Sequence, residues 1–167
     1  MQKTRTAYTI LILAYFWYYA FTYTAWHFID WVNLIFHEAG HSIFAFFGDI
    51  IHAFMGSGFQ VLLPLLIALY FFYQKDKVSG GICLAWVGQN LLNVGVYIGD
   101  AIVMKLDLLG GDSVMHDWNF ILSQLGLLKY TYIIADTVHV LGWATIFAGS
   151  VIALTSLLPL YLPWRSS

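Results

Sequence analysis

Four stretches of this chain, 6–29, 50–74, 78–99 and 137–164, contain no Asp, Glu, Lys or Arg. Each is at least as long as the roughly 20 residues that a helix needs to cross a bilayer. A run of that kind in lipid has to satisfy its own backbone hydrogen bonds, and a helix does so within one segment. The expected fold is therefore all-α: a polytopic integral membrane bundle with about five transmembrane helices, or six. Composition agrees, with 60% hydrophobic and only 10% charged residues, where a soluble domain carries about 25% charged. The predicted spans are 7–25, 31–47, 59–73, 82–104 and 130–158. Gly48-Asp49 breaks the second span, 50–58 reads as a re-entrant or surface connection, Pro64 is a kink site, and Pro159 and Pro163 end the last span.

No linker or repeat divides the chain. It reads as one membrane-embedded domain, 1–167, with a core at 31–104, an interfacial loop at 105–129 holding a short helix over 117–127, and a C-terminal span at 130–160. Lys3 and Arg5 precede a long aromatic run with no clear small-residue cleavage site, so the first span is read as retained, its start cytoplasmic, in the plasma (inner) membrane. That order sends Lys75 and Lys77 to the opposite face. A net charge of −2 argues against nucleic acid as a partner. The single cysteine, Cys83, excludes an internal disulfide.

The chemistry concentrates in 34–47, LIFHEAGHSIFAFF, which holds the only glutamate of the chain, Glu38. An ionisable group in mid-membrane costs at least ~2.5 kcal/mol on insertion scales, so it is a functional hypothesis from the outset. His37 and His41 are four apart and share one helical face, where two neutral imidazoles supply half of a tetrahedral Zn²⁺ shell. Glu38, beside the first of them, is placed to take and return a proton as general base. Gly40 is read as leaving room for a substrate backbone.

Three further groups of polar residues bear on the site. On the fourth span Gln89, Asn93, Tyr97 and Asp100 follow helical spacing and form one stripe, with Asn90 beside it. Asp100 is a third zinc ligand by this reading, and Asn93 and Gln89 are substrate or oxyanion contacts. Gly95 and Gly99 make a GxxxG step, which suits homo-oligomer contact. The loop GGDSVMHDW offers Asp112, His116 and Asp117. His116 is the rival third ligand, and Asp117 would orient it. On the last span Asp136 and His139 lie three apart, as a supporting pair or proton path. His27 and His52 sit near interfaces and are given no special role.

FHEAGH in an apolar helix, followed two spans later by an Asn and an Asp, resembles the site-2 proteases, intramembrane zinc metalloproteases. The resemblance covers about 34–104. It implies zinc on His37 and His41, Glu38 as general base, Asp100 as third ligand and Asn93 against the substrate. The family's later motif is Asn-Pro followed by Leu-Asp-Gly, whereas this chain has NVGVYIGDA at 93–101, so His116 stays open beside Asp100. The expected function is a membrane-embedded zinc-dependent hydrolase, an intramembrane metallopeptidase of minimal, divergent form. The alternatives are a zinc-dependent lipid amidase or esterase and a non-enzymatic haem- or metal-binding membrane protein, with His41 and His139 as axial ligands.

Overall fold

The computed structural model describes residues 2–106 and 115–157, and among these all regular structure is helical. The α-helices are α1 (Gln2–Thr22), α2 (Phe28–Phe44), α3 (Asp49–Tyr73), α4 (Lys77–Gly99), α5 (Asp117–Gln124) and α6 (Thr131–Leu157), with 3₁₀ turns at Ala45–Phe47 and Leu128–Tyr130. Asp112, Pro159 and Pro163 lie outside the described residues. Among the described residues three helical stretches are long and apolar enough to cross a membrane: α3, α4, and α6 with its leading 3₁₀ turn. That is fewer than the five expected. The reasons are local: α2 has 17 residues, short of the ~20 a crossing takes, and α1 is diluted by tyrosine, threonine and its charged start.

Two boundaries move with consequence. Residues 50–58 are no re-entrant connection but the first turns of α3, which runs unbroken for 25 residues. Gly48, at φ 91°, makes the reversal that turns α2 back onto α3. Pro64 sits inside α3, where it has no N–H to give the carbonyl of Gln60. The fourth span stops at Gly99, with Asp100 as its C-cap, instead of continuing to 104.

α4 is the central helix. Of its most apolar window 56% is buried, against 28% for α3 and 33% for the α6 stretch; those two leave much of their apolar surface outward. α4 meets α6 antiparallel along glycines recurring every seventh residue. A Cβ added to Gly81 would press on the Gly149 carbonyl, one on Gly88 on the Gly142 carbonyl, and both reciprocal clashes also hold. Gly95 lies against the His139 ring and Gly99 faces Ala135. Both glycines of the GxxxG step thus face α6 within the chain.

Contacts along the helices fix which ends lie together. Arg5 pairs with Asp76, itself the N-cap of α4 through Ser79 N (3.2 Å). Leu13 and Phe16 pack with Ala85 and Ala153, and Tyr19 and Ala20 with Leu92 and Ile146. α1 and α4 therefore run parallel, α3 and α6 antiparallel to them, and Lys3, Arg5, Lys75 and Lys77 gather at one end. The expectation that Lys75 and Lys77 face away from Lys3 and Arg5 is corrected by that Arg5–Asp76 pair. The other end carries the α1–α2 turn, the start of α3, Asp100 and α5. All side-chain hydrogen bonds of α2 to α3 and α4 go to residues between 52 and 89 or to Asn93.

Candidate metal centre

His37 Nε2 and His41 Nε2 approach to 3.0 Å, and Asp117 Oδ2 lies 3.0 Å from the first and 3.2 Å from the second. Two residues come from successive turns of α2 and one from the first turn of α5. A tetrahedral shell at zinc's ~2.0–2.2 Å bond lengths separates neighbouring ligand atoms by roughly 3.3 Å, so the triangle has the right size.

The tautomers are dictated from behind. The His41 Nδ1–H donates to the His52 carbonyl at 2.9 Å, which can only accept. His37 Nδ1 lies 3.0 Å from Gln60 Oε1. The amide of Gln60 is oriented because its Nε2 donates to Asn93 Oδ1 (2.9 Å) and Asn90 Oδ1 (3.3 Å). Those two are oriented in turn: Asn93 Nδ2 donates to Asp30 Oδ1 at 3.1 Å, and Asn90 Nδ2 to the Trp86 carbonyl at 3.0 Å. Hence both neutral imidazoles turn a bare Nε2 lone pair toward a carboxylate oxygen. Three acceptors at 3 Å repel one another unless a cation or a proton sits among them.

Gly56 of α3 makes the room. A Cβ there would lie 2.6 Å from His37 Nε2 and 2.7 Å from His41 Cε1. Gly40 has a different job from the one expected: a Cβ there would run into the Met55 carbonyl, so it lets α2 and α3 touch.

α5 is docked by its own side chains. Trp118 Nε1 donates to Ser57 Oγ at 3.0 Å, and Asn119 Nδ2 to the Ala101 carbonyl at 2.8 Å. Trp118, Ile121 and Leu122 pack with Ala53, Val94 and Ile98. Asp117 receives the Tyr97 hydroxyl at 3.3 Å and gives its N–H back to that oxygen at 3.2 Å. Burial works to raise the Asp117 carboxyl; with a proton on the imidazoles, their hydrogen bonds and charge outweigh it and hold it at about 2.

The acid brought to the imidazoles is Asp117, expected only as an orienting residue, and neither Asp100 nor His116 is in the group. Asp100 accepts the N–H groups of Lys105 (2.9 Å) and Leu106 (3.0 Å), closing the turn after α4. His116 is the N-cap of α5, its Nδ1 accepting from Asn119 N at 3.3 Å. Its Nε2 stands 3.4 Å from Asp100 Oδ2 and makes no aligned hydrogen bond. Burial pushes its pKa down, against the pull of Asp100. Gln89 is fully buried, tied to Asn33 (2.9 Å) and Asp30 (3.3 Å), and so is structural. Asp136 is exposed, and His139 packs on Tyr23 and Gly95 away from the triangle.

Beside the triangle lies a half-open cavity of about 580 Å³, whose wall includes His37, Glu38, His41, Asn93, Tyr97 and Asp117. Glu38 is exposed to it, and no described residue hydrogen-bonds its carboxylate. Sequence reasoning passed over Gln60, Gly56 and Asp30. Gln60 is the one amide in the uncharged stretch 50–73, with Gly56 one turn before it, and that pairing was the available signal. Asp30 is 2% exposed and accepts from Tyr19, Gln89, Asn93 and the His27 N–H. Comparison with protein-family models, curated proteins and solved structures finds no match.

Proposed function

We propose that this chain is a membrane-embedded zinc-dependent hydrolase, a metallopeptidase acting on membrane-anchored substrates and akin to the site-2 proteases. The observation that carries the reading is the convergence of two Nε2 lone pairs and a carboxylate oxygen on one point, with both Nδ1 atoms committed elsewhere. His37, His41 and Asp117 would hold the ion, with α1 and α2 inside the bilayer alongside the three apolar helices. When bound, zinc supplies Lewis acidity toward a water and a scissile carbonyl.

The chain's own residues do the rest. Glu38 holds a proton taken from the attacking water and delivers it to the leaving nitrogen. That no described residue hydrogen-bonds its carboxylate suits a group that must change protonation twice in each turnover. Tyr97 keeps Asp117 turned toward the imidazoles, while Gln60 and the His52 carbonyl keep each Nδ1 protonated so that both Nε2 atoms stay available. Asn93 reaches the cavity wall with its amide already engaged by Gln60 and Asp30, so it contacts substrate only as part of that network.

Metal analysis of the purified protein tests the binding set: wild type is expected to hold one zinc, and His37→Ala, His41→Ala and Asp117→Ala none. Glu38→Gln should keep the zinc and lose roughly 10²–10⁴-fold in hydrolysis of single-span peptides. Zinc-free wild type, its imidazoles sharing a proton instead, would end this reading.

A further inference from the structure

The site's position along the bundle says where its substrate bond must lie. Lys3, Arg5, Lys75 and Lys77 share one end, drawn together by the Arg5–Asp76 pair. Lys105 and Lys129 are at the other, together with Asp30, Asp49, Asp100, Asp117 and Asp136. An excess of Lys and Arg marks the cytoplasmic face. The metal-ligating atoms belong to the opposite end. Gly56, against both imidazoles, is seven residues into α3, and Tyr97, against Asp117, is two from the end of α4. At 1.5 Å per residue these positions are about 3–10 Å from the helix ends, short of a midplane some 15 Å deep. The cavity wall at that end includes Trp26 and Trp31, ring centroids 5.2 Å apart and each 56% exposed. Tryptophan on a lipid-facing surface concentrates at the headgroup layer.

We infer that the cavity opens to the extracytoplasmic headgroup layer and takes a peptide bond in the juxtamembrane segment of an anchored substrate, not one at the bilayer centre. This rests on the hydrolase reading for its chemistry, but its sidedness does not. α1, α3, α4 and α6 then cross, both described termini face the cytoplasm, and α2 and α5 lie in the outer half.

The test uses the full chain in intact cells, with Cys83→Ala as background and a membrane-impermeant maleimide as probe. Thr24→Cys, Lys105→Cys and Glu38→Cys should label from outside, and Gln74→Cys only after permeabilisation. The reverse pattern, or Glu38→Cys unreactive from outside while Thr24→Cys reacts, would overturn the inference without touching the zinc assay. With active enzyme in vesicles, single-span peptides carrying one cleavable sequence at successive depths should be cut within two turns of the extracytoplasmic boundary. Cutting confined to central positions, or cleavage of lipid amides with every peptide spared, would overturn it as well.

Discussion

The α4–α6 seam and the α2–α3–α5 corner are built on the same device and put it to opposite use. In both, glycine lets two helices approach until a Cβ would have no space. Along the seam that space is taken by facing backbone: the carbonyls of Gly149 and Gly142 lie against Gly81 and Gly88. There the contact is backbone against backbone, and small residues gain close packing. At the corner the space beside Gly56 is taken by two imidazole nitrogens. Around them Gln60, Asn93, Asn90 and Asp30 form a buried polar network in which each amide has one permitted orientation. A network of that kind costs more than apolar packing if any member is unsatisfied. Its presence in a chain this apolar argues that it exists to position something.

The largest contrast is between two acids of the corner. Asp117→Ala removes a carboxylate from the triangle and is expected to abolish stoichiometric zinc. Asp100→Ala removes only the closure of the Lys105–Leu106 turn and should leave zinc content at wild-type level. Metal analysis of the two side by side decides the matter, and zinc retained in Asp117→Ala but lost in Asp100→Ala would reverse the assignment.

Next come two glycine substitutions that separate the regions. Gly56→Ala should leave the helix intact, since Ala is the better helix former, while crowding the Nε2 atoms enough to expel the metal. Gly81→Ala should do the converse: a loss of roughly 1–3 kcal/mol from overpacking, read as a lower unfolding temperature in detergent, with zinc bound as before. If both variants lose stability and keep zinc, the two regions do not differ in the way described.

That division was only half legible in the sequence. His37 and His41 declare themselves because a period of 3.6 puts residues four apart on one face, and the helical class follows from the uncharged stretches. Asp117 does not declare itself. It reaches the triangle because Trp118 docks on Ser57 and Asn119 on the Ala101 carbonyl, contacts between residues far apart that no local pattern encodes. The stripe 89, 93, 97, 100 points to Asp100 on paper, beside His116, yet the helix ends at Gly99 and the Asp100 side chain turns to cap its own loop. The seam is readable in the sequence: Gly81, Gly88 and Gly95 recur at seven, as do Gly142 and Gly149.

A smaller effect probes how the corner's network reaches the metal. Gln60→Leu removes the acceptor for His37 Nδ1 and frees the ring to present the wrong nitrogen. Loss of such a support weakens metal binding by roughly 10–100-fold, measurable by competition with a chelator. Gln60→Glu restores an acceptor and should recover most of that affinity. A Leu variant that binds zinc like wild type would mean the tautomer is held by packing alone.

The smallest effect lies at the joint that brings α5 to the corner. His116 accepts the Asn119 N–H with Nδ1, so protonation at that atom removes the N-cap. Burial holds the folded pKa below the ordinary value, which is about 6.5 for the unfolded chain. The unfolded state therefore takes up the proton first as pH falls. The contribution of His116 to stability is complete above about pH 6.5 and declines below it. The loss should be about 1 kcal/mol, the usual worth of an N-cap. His116→Asn offers a cap that does not titrate and should remove that part of the acid slope while leaving stability at pH 8 near wild type. Unfolding followed from pH 8 to pH 5 in both proteins makes the comparison. Parallel slopes would mean that α5 is held by Trp118 and Asn119 without help from its cap, and that the corner's acid sensitivity has to come from the triangle itself.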